Sequence, residues 1–151
     1  MSIKIEDIMV KDVLTVEVSE SVLKATKKMN DRKVGSIVAV EKGKPVGILT
    51  ERDILSKIVV EKRDAENTKV KEVMSTPLIS GKPEMSLEEI LKTMVLKRVK
   101  KLPILKDEKL VGIITLFDIV RWNPIAANLL KEKCETQEVP QNIKKYVIPV
   151  D

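Results

Sequence analysis

The chain has 151 residues, of which 43% are hydrophobic, 2% aromatic and 34% charged, with a formal net charge of +5. Because Phe117, Trp122 and Tyr146 are the only aromatic residues, the core has to be built from Ile, Leu, Val, Met and Ala. The absence of histidine and the single cysteine, Cys134, exclude intrachain disulfides, cysteine metal clusters and histidine-based nucleophile or metal sites.

The first residues, MSIKIEDIMV, lack the long apolar core of a signal peptide. No stretch approaches the roughly 18 apolar residues of a membrane span. We therefore expect a cytoplasmic protein with no membrane partner. The net positive charge of the chain agrees with anionic partners, such as nucleotides or nucleic acid.

The chain repeats itself without a gap, since GILTERDI at 47–54 returns 65 residues later as GIITLFDI at 112–119. Each copy opens with a leader that ends in an extended apolar piece, at 13–16 and at 78–80. An amphipathic helix follows in each copy. Its apolar stripe consists of Val22, Ala25 and Met29 in the first copy and of Leu87, Ile90, Leu91, Met94 and Val95 in the second.

SLEE at the start of the second of these helices has the spacing of a capping box. Each copy then predicts two strands joined by a hairpin-sized connection. The strands are 36–40 with 45–50, and 102–106 with 110–115. A final helix begins at TERD or TLFD.

These elements divide the chain into a first repeat (1–60), a charged linker (61–69), a second repeat (70–122) and a tail (123–151). In the tail, NPIAANLLKEK predicts a helix and the remainder an extended segment. A repeat of about 60 residues cannot bury its apolar faces alone. We therefore expect an α+β fold of two β-α-β-β-α repeats, packed sheet to sheet with pseudo-two-fold symmetry.

The repeated Thr-x-x-Asp has a purely structural interpretation. Thr50 and Thr115 stand where a strand becomes a helix, which suits an N-cap, and Asp53 and Asp118 fall at the third helical position. The glycine three residues before each threonine allows close approach of another backbone segment. A second interpretation is a nucleotide site, because backbone N–H groups there suit an anion and a carboxylate can accept two hydrogen bonds from a ribose diol. Both interpretations follow from the residues.

The two copies together, with VGILTERDI and VGIITLFDI in register, resemble a tandem pair of CBS domains, a Bateman module, over about residues 3–122. The resemblance implies a regulatory protein that binds an adenosine-containing ligand in clefts between the two repeats. AMP, ADP, ATP, S-adenosylmethionine and NAD are such ligands. It also implies a homodimer of disc-like shape.

Carried over by position, the resemblance implies two related clefts. In the second, Asp118 holds the ribose, Thr115 contacts ribose or phosphate, and Ile113 lies against the base. Lys100 and Lys101 reach the phosphate. The remaining residues of this cleft come from the first copy, namely Leu14, Val34 and Gly35.

In the first cleft Asp53, Thr50 and Ile48 take the corresponding roles. They are faced by Ile79, Val99 and Lys100. Because VKK precedes the second strand pair and VGS the first, we expect the second cleft to prefer a phosphorylated ligand. The first cleft then suits a less anionic ligand or stays empty.

We predict a non-catalytic sensor of an adenine nucleotide, with no metal and no catalytic residue, that signals to a separate effector protein. The alternative is a ligand-free interaction module in which Thr-x-x-Asp is only a cap. Nucleic-acid binding is less favoured, because no aromatic residue near the basic run KRVKKL is available to stack on bases.

Overall fold

The computed structural model describes residues 3–122 and Asn128. The tail helix and extended segment predicted beyond residue 122 lie outside the described residues, apart from Asn128, as do Cys134 and Tyr146. The helices are α1 (Ile5–Ile8), α2 (Val22–Arg32), α3 (Glu51–Ile54), α4 (Val70–Val73), α5 (Leu87–Lys97) and α6 (Leu116–Trp122). A π-helical segment, Leu55–Val59, continues α3. The strands are β1 (Thr15–Glu17), β2 (Ser36–Glu41), β3 (Lys44–Thr50), β4 (Lys101–Lys106) and β5 (Lys109–Thr115).

The predicted α+β architecture of two repeats is confirmed. The four strands of the two hairpins agree with the predicted ranges to within one residue at each end. The predicted stripes of α2 and α5 are buried, apart from Leu87, which is half-buried. The core of the described residues is aliphatic, since Phe117 and Trp122 are both exposed. How the two sheets pack together stays a prediction.

The two repeats differ in their first strand. In the first repeat, β1 pairs in parallel with β2, which pairs antiparallel with β3. The strand expected at 78–80 is wrong, because only Gly81 forms a bridge there, with Ile104 of β4. Two prolines explain the loss, since proline has no N–H to donate to a ladder.

Both prolines stand where the first repeat has a donating valine. The Val18 N–H donates to Val40 O at 3.0 Å, and the Val38 N–H donates to Leu14 O at 3.1 Å. The residues 65 positions later are Pro83 and Pro103. The parallel pairing therefore shrinks from three residue pairs to a single bridge.

The compact units of the fold do not follow the repeats in sequence. Among the described residues, the first-repeat unit comprises 12–79 and 107–110, and the second-repeat unit comprises 3–11, 80–106 and 111–122. The repeats have thus exchanged the opening parts of their leaders, residues 3–11 and 70–79. The first leader contributes α1 to the second-repeat unit, and the second leader contributes α4 to the first-repeat unit. The domain boundaries predicted from the sequence, at 60, 69 and 122, mark the sequence repeat and not these compact units, and they stay a prediction.

The exchanged leaders are joined to the strands that carry the repeated motif. Val10 and Ile113 exchange two backbone hydrogen bonds of 2.9 Å, and Ser75 and Ile48 exchange two of 2.8 and 3.1 Å. The preceding glycines permit this close approach, as predicted. A Cβ on Gly112 would lie 3.1 Å from Val10 O, and one on Gly47 would lie 3.0 Å from Ser75 O.

The helices of the two repeats begin differently. On α5, the Ser86 side chain accepts from the Glu89 N–H and the Glu89 carboxylate accepts from the Ser86 N–H, which confirms the predicted capping box. On α2, Ser21 accepts from the Lys24 N–H, and the linker carbonyls of Thr68 and Ala65 accept from the Val22 and Leu23 N–H groups respectively. Over residues 3–122, no helix is long and apolar enough to cross a membrane.

Candidate functional site

The first Thr-x-x-Asp motif stands at the junction of β3 and α3. The Thr50 Oγ1 accepts from the Asp53 N–H at 3.2 Å, and Asp53 Oδ2 accepts from the Thr50 N–H and hydroxyl at 3.0 Å each. This is a reciprocal capping box in which aspartate replaces the usual glutamate. The structural role predicted for the motif is therefore confirmed.

The Asp53 carboxylate has two further partners. The Ser75 hydroxyl, from the exchanged leader, lies 3.0 Å from Oδ1 and 3.1 Å from Oδ2. The Lys57 ammonium donates to Oδ1 at 3.1 Å and to the Val73 carbonyl at 2.7 Å. The Asp53 side chain is only 8% exposed, so it is a buried carboxylate. A buried charge needs a partner of opposite charge, and Lys57 provides it.

The second motif repeats the capping box. Thr115 Oγ1 accepts from the Asp118 N–H at 3.1 Å, and Asp118 Oδ2 accepts from the Thr115 N–H at 3.0 Å and from the Thr115 hydroxyl at 2.7 Å. The Oδ1 oxygen of Asp118 differs from that of Asp53 in its hydrogen bonds. Within the described part of the chain, Asp118 Oδ1 accepts no hydrogen bond, and the residue is half-buried.

The difference arises outside the motif. The residue corresponding to Ser75 is Val10, and the residue corresponding to Lys57 is Trp122. Neither valine nor an exposed tryptophan side chain supplies a donor to Asp118 Oδ1 here. The Trp122 ring instead lies 5.7 Å from the guanidinium carbon of Arg121.

Lys100 lies directly before β4 and is tied to the second motif through its backbone, and Lys101 is the first residue of β4. The Leu116 N–H, the first of α6, donates to Lys100 O at 2.9 Å. The equivalent bond of the first repeat joins the Glu51 N–H to Gly35 O at 3.0 Å. Lys100 is exposed and Lys101 half-buried. The lysine-bearing loop is thus held beside the start of the helix that carries Asp118.

The structure divides the predicted site residues between the two units. The second-repeat unit contains Val99, Lys100, Lys101, Ile113, Thr115 and Asp118. The first-repeat unit contains Leu14, Val34, Gly35, Ile48, Thr50, Asp53 and Ile79. Each motif is therefore assembled within its unit. The two clefts, which combine residues of both sets, stay predictions.

Sequence reasoning missed Lys57 and Ser75. The spacing of Lys57 from Asp53 is i,i+4, which favours an ion pair on a helix and was a usable signal. Ser75 gave no such signal, because its contact depends on the exchange of leaders. Over residues 3–122, no group of three acidic or cysteine side chains is close enough together to hold a metal ion.

Comparison with known proteins gives a consistent result. The profile of the CBS domain matches residues 5–60 and 70–124. The CBS domain-containing protein YhcV of Bacillus subtilis is 40% identical over 115 residues, which are 76% of this chain and 81% of the relative.

Solved structures agree with this match. An uncharacterized conserved protein from Pyrococcus horikoshii superimposes with a TM-score of 0.74 at 32% identity, covering 81% of this chain and 92% of that one. The CBS domain pair of protein MJ0100, solved with 5′-methylthioadenosine and S-adenosyl-L-methionine, has a TM-score of 0.73 at 24% identity, covering 81% and 96%. This second likeness concerns the fold alone.

Proposed function

Because the chain belongs to the CBS domain family, we propose that it is a non-catalytic sensor of an adenosine-containing ligand. CBS-pair proteins are regulatory modules that bind ligands of this kind. The candidates are AMP, ADP, ATP and S-adenosylmethionine, with NAD in the same class. We place the protein in the cytoplasm, where these ligands occur.

The observation that carries this proposal is the state of the Asp118 carboxylate. Oδ2 is held by Thr115, so the side chain is fixed in position, whereas Oδ1 accepts no hydrogen bond from the described residues. A carboxylate oxygen has two lone pairs and accepts strongly from hydroxyl groups. A fixed acceptor of this kind suits the two hydroxyls of a ribose.

The neighbouring residues supply the remaining parts of the proposed site. Lys100 and Lys101 place positive charge beside the start of α6, which suits a phosphate. Ile113 is half-buried and is proposed to lie against the base. Leu14, Val34 and Gly35 are proposed to complete the cleft from the first-repeat unit.

We propose that the ligand acts by favouring one of two arrangements of the protein, which a separate effector protein distinguishes. Such a shift requires only that the ligand bind the two arrangements with different affinity. A second copy of the chain is a proposed partner as well. Phe117 and Trp122 on α6 are 72% and 58% exposed, and large exposed apolar side chains favour a protein contact.

Thermal melting in the presence of AMP, ADP, ATP, S-adenosylmethionine or NADH tests the proposal. A ligand at about 100 times its dissociation constant should stabilise the wild-type chain by roughly 2.7 kcal/mol. The Asp118→Ala variant should melt at one temperature with or without that ligand. If no ligand shifts the wild-type melting temperature, the ligand-free interaction module is the better account. Salt-sensitive binding of RNA or DNA would instead favour the nucleic-acid alternative.

A further inference from the structure

We infer that Lys57 and Ser75 close the first motif to ribose, so that each chain binds one adenosine-containing ligand, at the second motif. The inference rests on the proposed function and adds to it the number of ligands and the residues that set it. It concerns the surroundings of Asp53 and Asp118, each of which lies wholly within one unit.

The first step is the occupancy of the Asp53 carboxylate. A carboxylate offers about four lone-pair positions. Oδ2 already accepts two bonds from Thr50, Oδ1 accepts from Lys57, and the single Ser75 hydroxyl proton lies within reach of both oxygens. A ribose diol needs two of these four lone-pair positions, and all four are already occupied by donors from Thr50, Lys57 and Ser75.

The second step is the cost of displacement. A ribose hydroxyl is neutral, whereas the Lys57 ammonium is the counter-charge of a carboxylate whose side chain is only 8% exposed. Turning Lys57 away would also break its 2.7 Å bond to the Val73 carbonyl. Exchanging the lysine for a diol therefore leaves a buried carboxylate without a cation, which is unfavourable.

The third step is the contrast with the second motif. Val10 and Trp122 occupy the positions of Ser75 and Lys57, so the same capping box leaves Asp118 Oδ1 without a donor among the described residues. The difference in ligand binding is thus attributed to two residues outside the motif rather than to the motif itself.

Calorimetric titration with AMP, ADP, ATP, S-adenosylmethionine and NAD, each in parallel, tests the inference. Wild-type protein should bind one equivalent per chain of the probe it accepts. Asp118→Ala should bind that probe at least about 100-fold more weakly, a difference of roughly 2.7 kcal/mol. The double variant Lys57→Met, Ser75→Val should gain a second equivalent. The matched control Lys57→Arg, Ser75→Thr, which keeps both donors, should remain at one.

Two equivalents per wild-type chain, or full binding by Asp118→Ala, would overturn this inference while leaving the proposed function intact. A folded Lys57→Met, Ser75→Val variant that still binds one equivalent would also overturn it. If the double variant does not fold, two results still decide whether the chain binds one ligand at the second motif. They are the number of equivalents bound by the wild-type chain and the loss of binding in Asp118→Ala. No binding of any probe by the wild-type chain would overturn the proposed function, and this inference with it.

Discussion

The two Thr-x-x-Asp motifs share a capping box, a preceding glycine and a bridge to the leader of the other repeat, yet their carboxylates are in different states. Asp53 is buried and paired with Lys57 and Ser75. Asp118 is half-buried, and one of its oxygens has no partner among the described residues. A duplicated motif thus keeps its structural role through its own residues, while its availability to a ligand depends on its neighbours.

The largest expected effect on stability separates the two aspartates. Asp53→Ala removes the carboxylate half of a capping box and leaves the Lys57 ammonium without its carboxylate, so it should lower the free energy of unfolding by about 2–3 kcal/mol, with a discount because Lys57 is partly exposed. Asp118→Ala removes only the carboxylate half of a capping box and should cost about 1 kcal/mol. Urea denaturation of both variants measures the difference. Equal losses would mean that the Lys57–Asp53 pair contributes nothing.

A smaller effect should be common to the two repeats, because both leaders approach a glycine closely. A Cβ on Gly47 would lie 2.7 Å from Met74 Sδ, and one on Gly112 would lie 2.5 Å from Met9 Sδ. Gly47→Ala and Gly112→Ala should each cost about 1–2 kcal/mol, since the leader must shift. Gly43→Asn is the control, because Gly43 has a φ of +77°, which asparagine tolerates, and open space around it. Wild-type stability of either alanine variant would argue against the close contact.

The smallest effect concerns the first turns of α2 and α5. The Ser86 N–H, and then the Ser86 side chain, lower the pKa of Glu89 below its ordinary value of 4.5, whereas α2 has Lys24 at this position. The stabilisation by Glu89 is therefore complete above about pH 4.5 and is lost as the pH falls through the lower pKa of the folded state.

Glu89→Gln should accordingly be slightly less stable than wild type at pH 7, and the difference should shrink as the pH falls below 4.5. Glu88→Gln, in the same turn, is the control. Chemical denaturation at a series of pH values checks this. A difference between Glu89→Gln and wild type that does not change with pH would contradict the assignment.

Much of the fold was predictable because it depends on local patterns. The apolar period of α2 and α5, the capping box at Ser86 and the paired hairpins all act within about fifteen residues of sequence. The glycine before each Thr-x-x-Asp motif likewise indicated a close backbone approach, and the structure identifies the leader as the approaching segment.

The features that the sequence did not predict correctly depend on contacts between residues that are distant in sequence. The strand expected at 78–80 depended on donors that Pro83 and Pro103 lack, and their effect becomes visible only when the strand partner is known. The exchange of leaders could not be read from the repeat, because a repeat in sequence does not show which unit a leader packs against. Ser75 was therefore missed as a partner of Asp53.

The account is tested most directly in the unaltered chain by two-dimensional NMR of its backbone amides during titration with AMP, ATP or S-adenosylmethionine. We predict that the Thr115 and Asp118 amide signals move until one equivalent is bound, while those of Asp53 and Ser75 stay in place. Movement of the Asp53 and Ser75 signals to the same extent would show that both motifs bind. That result would contradict the closure of the first motif by Lys57 and Ser75.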